Sequence, residues 1–152
     1  MRFPKLLLSA CLCALLLVGV FGFVKAPVAH ADVNGCPSGQ NTLASADLHD
    51  AVFGGPDSRG KVFLCQDGIT GIFFASYTVD TAGPGFTKPN AMFAELFAVG
   101  NDTAVATKDD ISGTISELET GFVTASGEIK ACGILSFALG AKWEGCTAFV
   151  SV

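Results

Sequence analysis

Apolar residues change their spacing along this chain, and each change marks an element. From Leu6 to Val24 they run almost unbroken, interrupted only by Ser9 and two glycines. Arg2 and Lys5 precede the run, Pro27 follows it, and Ala29-His30-Ala31 gives a small-x-small cleavage pattern. This order predicts a secretion signal over 1–31 and a single secreted β-rich domain over 32–152. The Leu8-Ser9-Ala10-Cys11 stretch matches a lipoprotein box only superficially, because most of the apolar core follows it.

Beyond the signal, 32–42 is polar and turn-rich. SADLHDAVFGG then reads as one short N-terminal helix, with Ser45 as N-cap, Leu48, Ala51 and Val52 on one face, and Gly54-Gly55 as the stop. After it the period shortens to two. KVFLCQ (61–66) runs into Asp67-Gly68, a tight-hairpin dipeptide. In ITGIFFASYTVD (69–80), Ile69, Phe73, Ala75, Tyr77 and Val79 share one face, while Ile72 and Phe74 lie on the other. Apolar residues on both sides predict a central strand covered on both faces. The glycine- and proline-rich segment 81–90 is a loop. AMFAELFAVG (91–100) satisfies both periods, and its strand-like neighbours favour strand. Short strands are expected over 103–107, 111–118 and 121–126, with Asp109-Asp110 in a turn.

The last stretch, IKACGILSFALGAKWEGCTAFVSV, is too short between its charges to span a bilayer as a helix, which needs about 20 residues. A three-residue hairpin loop favours glycine at its third, left-handed position. Placing Ala138-Leu139-Gly140 there sets Phe137 opposite Ala141 and Cys132 opposite Cys146. The cysteines fall on a non-hydrogen-bonded site, where Cα atoms approach to about 4.5 Å, within disulfide reach. One face then holds Ile129, Ala131, Gly133, Leu135, Phe137, Trp143, Thr147 and Phe149. The other holds Lys130, Ser136, Lys142, Glu144 and the cysteines.

Composition narrows the picture. Signal removal takes Cys11 and Cys13 and leaves four cysteines, which in a small exported domain read as two disulfides. With Cys132–Cys146 set by register, Cys36–Cys65 follows by elimination. The fold class is thus mostly β: a disulfide-stabilised β-sandwich or small barrel with one short N-terminal helix. Six bases face fourteen acids after residue 31, a net charge of −8. Such a surface repels phosphate backbones and anionic lipids, so nucleic acid is excluded, and no membrane insertion of the mature chain is expected.

Chemistry is sparse. No GxSxG elbow or CxxC pair occurs, and His49 is the only imidazole beyond the signal. No catalytic residue, metal or cofactor is assigned. Asp47, His49 and Asp50 read as a solvated helix face, and a small hydrolase built on them or on the acids Asp109, Asp110, Glu117 and Glu119 is the weakest reading. Three residues are candidates for binding: Phe86 and Lys88 in the 81–90 loop, and Glu95, the sole charge between Lys88 and Asp102. Asn101-Asp102-Thr103 is a glycosylation sequon in a eukaryotic secretory pathway only. The expected function is a secreted, non-catalytic extracellular or cell-surface protein. It acts by binding a protein or glycan, or by self-association if an apolar strand edge stays open. The alternative is an effector or inhibitor that grips a protein partner through the 81–90 loop.

Overall fold

The computed structural model describes residues 35–53, 57–82 and 86–152; the secretion signal expected over 1–31 lies outside them. Among the described residues, ten antiparallel strands form one nearly closed, barrel-like sheet. In chain order they are β1 (Gln40–Asp50), β2 (Ser58–Asp67), β3 (Phe73–Asp80), β4 (Ala91–Ala98), β5 (Ala106–Asp110), β6 (Glu117–Glu119), β7 (Val123–Thr124), β8 (Glu128–Ser136), β9 (Lys142–Cys146) and β10 (Val150–Ser151). The spatial order is β5-β4-β8-β9-β1-β2-β3-β6, with β10 beside β8 and β7 beside β3.

Inward side chains of β1, β2, β3, β4, β6 and β8 build the main core: Leu48, Val62, Leu64, Phe74, Met92, Leu96, Leu118, Ile129 and Leu135. The barrel is flattened where β3 crosses β8. A Cβ on Gly133 would lie 2.6 Å from Thr78 Oγ1, so the two walls touch there without a side chain between them. Ser76 Oγ donates to Cys132 O and Thr78 Oγ1 to Phe93 O. The buried hydroxyls of β3 are thereby satisfied by backbone of the facing wall. As the alternation predicts, β3 is buried along both faces. On its outer side Phe63, Cys65, Tyr77, Val79 and Cys36 form a second, smaller core.

The C-terminal hairpin has the expected register. Cys132 pairs with Cys146, Ile134 with Glu144 and Ser136 with Lys142, and Phe137 N donates to Ala141 O. Gly140 is left-handed (φ 81°), and so is Leu139 (φ 64°), the single non-glycine residue of that kind among the described residues. That conformation costs a residue with a Cβ about 1–2 kcal/mol. Both disulfides, Cys36–Cys65 and Cys132–Cys146, are present. They suit an oxidising, extracellular-type environment, and no helix among the described residues is long and apolar enough to cross a membrane.

Several expectations are corrected. The short N-terminal helix does not form over its described residues, 45–53, which lie in β1 and in the turn after it; Gly54 and Gly55 lie outside the described residues. Leu48, Ala51 and Val52 satisfy a helical period, but β1 pairs along its length with β2 and at its end with β9. That ladder buries Leu48 completely, and such pairing overrides weak local propensity. The turn after β2 is longer than an Asp-Gly hairpin. Gly71 N donates to Asp67 O, and the Asp67 carboxylate accepts from Ile69 N and Thr70 N, leaving Ile69 exposed. Asp109 and Asp110 belong to β5 rather than to a turn. Phe149 faces outward. Thr147 N still bonds Ala131 O, but Val150 pairs with Ile129, so one extra residue enters between them. A one-residue slip moves a side chain to the other face, and Val150 takes the inward place.

Candidate functional site

The outer face of β4, β8 and β9 holds a shallow cleft of about 390 Å³. Strand pairing fixes its rows. One row runs from Phe93 across Ile134 to Glu144, the next from Glu95 across Cys132 to Cys146, and Phe97 pairs with Lys130. The floor is the Cys132–Cys146 bridge with Gly133, Ile134 and Gly145. Gly145 has its own reason: a Cβ there would meet Asp47 O at 2.5 Å, where β9 closes on β1.

Electrostatics divide this face. Lys130 Nζ stands 5.7 Å from the centre of the Phe97 ring and 4.9 Å from that of Phe149, a cation held over two π faces. Glu144 is paired with Lys142 at 2.6 Å. Glu95 is half-buried beside the bridge, with no hydrogen-bond or ion-pair partner among the described residues. The arrangement offers an apolar floor, one carboxylate and one ammonium, which suits recognition of an amphipathic group. A second hollow shares Phe97 and Lys130 and continues past Val99 to Asp102 and Phe149.

Phe86 and Lys88 are not brought to this cleft. Phe86 is exposed at the end of the barrel and lines a smaller hollow of about 280 Å³ with Ser58, Arg59, Thr81 and Trp143. Arg59 is tied down: its Nη2 donates to Thr87 O and lies 3.5 Å from Asp80 Oδ2, and its guanidinium sits 3.8 Å above the Phe137 ring. Lys88 is exposed beside the fully buried Pro89. Of the three expected binding residues, therefore, only Glu95 stands at the outer-face cleft.

The remaining polar groups stay apart. Asp47 pairs with Lys61, His49 Nδ1 lies 3.2 Å from Asp57 O, and the Asp50 carboxylate accepts from Val52 N and Phe53 N. Glu117 accepts from Tyr77 OH and Glu119 from Gln40 Nε2. Burial pushes the Tyr77 phenol well above its usual range, with the bond to Glu117 adding to it. Among the described residues, no three His, Cys, Asp or Glu side chains gather as a metal site would require.

Sequence reasoning missed Phe97, Lys130, Ile134 and Phe149 as a group. The strand reading of 91–100 put Phe93, Phe97 and Val99 on one face, and the hairpin register already turned Lys130 and the cysteines outward. What no local pattern supplied was that β4 lies next to β8. No protein-family model matches the chain, and no curated protein and no solved structure is significantly similar to it.

Proposed function

We propose that this protein is an extracellular binding protein whose working surface is the outer face of β4, β8 and β9. One observation carries the reading. The sheet has two outer faces bearing a disulfide and aromatic rings; that of β2–β3 is buried, and that of β4–β8–β9 is open. An uncovered apolar floor beside a half-buried carboxylate is the composition of a contact surface rather than of a solvated strand face. Its occupant is a protein segment presenting an apolar side chain next to a basic one, to meet Glu95. Self-association by strand addition has less support. The terminal strands of the sheet are short and charged, Ala-Thr-Lys-Asp-Asp in β5 and Glu-Leu-Glu in β6, and such edges resist pairing with another chain.

Photo-crosslinking tests the reading and its rival together. A benzophenone side chain is placed at Phe97, at Phe86 or at Ser45, and the protein is irradiated among the components of its native medium. A discrete adduct from position 97, lost on Glu95→Lys, is expected. An adduct from position 86 alone transfers the function to the 81–90 loop and overturns the outer-face reading.

A further inference from the structure

The outer face of β4, β8 and β9 carries both halves of the match it calls for. A carboxylate beside an apolar floor needs an apolar side chain next to a base, and the same face holds that pair one row away, where Phe97 is the pairing partner of Lys130. Glu95 and Lys130 are diagonal neighbours on the ladder, yet they are not joined to each other. Lys130 Nζ stands over the Phe97 and Phe149 rings, and neither side chain has an ion-pair partner among the described residues.

Charge decides what can approach. Around the cleft, Glu95 and Glu144 are balanced by Lys130 and Lys142. The other twelve acids and four bases after residue 31 carry all of the net −8, with Asp102 and Glu128 at the margin of this face. Two copies of so acidic a chain repel over most of their surfaces. A balanced face lets them meet without net repulsion.

We propose that the occupant of this face is a second copy of the chain, an inference that rests on the reading of the outer face as the working surface. Two such faces pack about a two-fold axis, Glu95 of each against Lys130 of the other. Register fixes the geometry. Phe97 pairs with Lys130 and Glu95 with Cys132, so the four side chains stand at the corners of a rectangle, about 7 Å along the strands and about 5 Å across. An axis in the contact plane that exchanges Glu95 with Lys130 crosses that diagonal at its midpoint and runs close to the other two corners. Phe97 therefore meets its own copy, and so does Cys132. The apolar floor is covered, and both charges that lack a partner gain one. An isologous contact of this kind closes at two copies, whereas strand addition at an edge leaves a new edge open. Strands of eight, nine and five residues make a small contact, so the dimer is reversible.

Sedimentation of the purified chain from about 1 μM to about 1 mM should show a dimer forming within that range. Glu95→Lys and Lys130→Glu should each weaken it at least about tenfold, since either change sets like charges against each other twice. An equimolar mixture of the two variants should regain the parent's dimer, because both opposite-charge contacts re-form between unlike chains; circular dichroism checks that each variant folds. Phe86→Ser, at the end of the barrel, should change nothing. A monomer throughout, association indifferent to the charge reversals, or a mixture no better than its parts overturns the proposal. The benzophenone at position 97 separates the second copy from the reading beneath it. Irradiation of the purified chain should give an adduct of twice the chain's mass. An adduct to a different protein in the native medium, with none between copies, overturns the second copy and keeps the outer face; no adduct of either kind removes both.

Discussion

Two outer faces of this sheet are built from nearly the same parts. On β2–β3, a disulfide (Cys36–Cys65) lies with a stacked Phe63–Tyr77 pair whose ring centres are 6.0 Å apart. On β4–β8–β9, a disulfide (Cys132–Cys146) lies with Phe93, Phe97 and Ile134. The first face is a core: Phe63, Cys65 and Tyr77 are buried, and the bridge carries the lead-in onto it through Cys36. The second remains a surface, with its bridge joining neighbouring strands that the hairpin already holds together. The same residue types thus become structure in one place and a contact surface in the other. What decides is whether a disulfide brings in a segment from outside the ladder or merely rivets two strands within it.

Truncation of an aromatic residue on each face probes this contrast most strongly. Phe63→Ala should destabilise by about 3–5 kcal/mol, the usual cost of a cavity where a buried phenylalanine stood. Phe97→Ala, on the half-buried open face, should cost under about 1 kcal/mol. Urea denaturation of both variants checks this. Equal losses would mean that the outer face of β4 is as much core as that of β2, and the candidate site would lose its basis.

The two bridges sharpen the comparison next. Their loops differ only modestly, with sequence separations of 29 and 14. The chain-entropy model therefore gives each about 3–4 kcal/mol and does not distinguish them. Access does. Cys146 is exposed, whereas Cys65 is fully buried and Cys36 nearly so. Under native conditions a dithiol should open Cys132–Cys146 first, and alkylation followed by peptide mapping should find label at 132 and 146 while 36 and 65 stay bridged. Simultaneous opening would show that the β2–β3 face is not closed in solution.

How much of this was legible from sequence depends on whether the determining contact is local. The terminal hairpin was legible to the residue, because Gly140 and the two cysteines lie within one turn and its flanking strands. Phe149 was misassigned on the same strand pair, because a one-residue insertion after Thr147 leaves no mark in the residue pattern. Strand β1 was read as helix because Ser45, Leu48, Ala51 and Val52 satisfy a helical spacing, and the partners that override it are almost 100 residues away in β9 and a loop away in β2. The same limit applies to the site. Glu95 stood out as a lone charge in an apolar run, but its neighbours Lys130 and Cys132 became neighbours only through the non-local pairing of β4 with β8.

The smallest expected effect lies at the margin of the covered face. Glu119 pairs across from Tyr77, and burial raises its carboxyl above the usual range, against the opposing hydrogen bond from Gln40 Nε2 at 2.8 Å and the charge of Lys108. A carboxyl whose affinity for its proton is raised by folding leaves the folded state richer in protons than the unfolded chain within that window. Its ionised form is therefore disfavoured by folding at neutral pH, and stability is recovered as pH falls through the raised value. Glu119→Gln keeps an oxygen for Gln40 and removes the titration. The variant should be more stable than the parent at pH 7 by less than about 1 kcal/mol, and the gap should close toward pH 4. Denaturation midpoints across that range measure it. A gap that stays constant with pH, or that favours the parent at pH 7, would place Glu119 in solvent and move the boundary of the covered face inward to Tyr77.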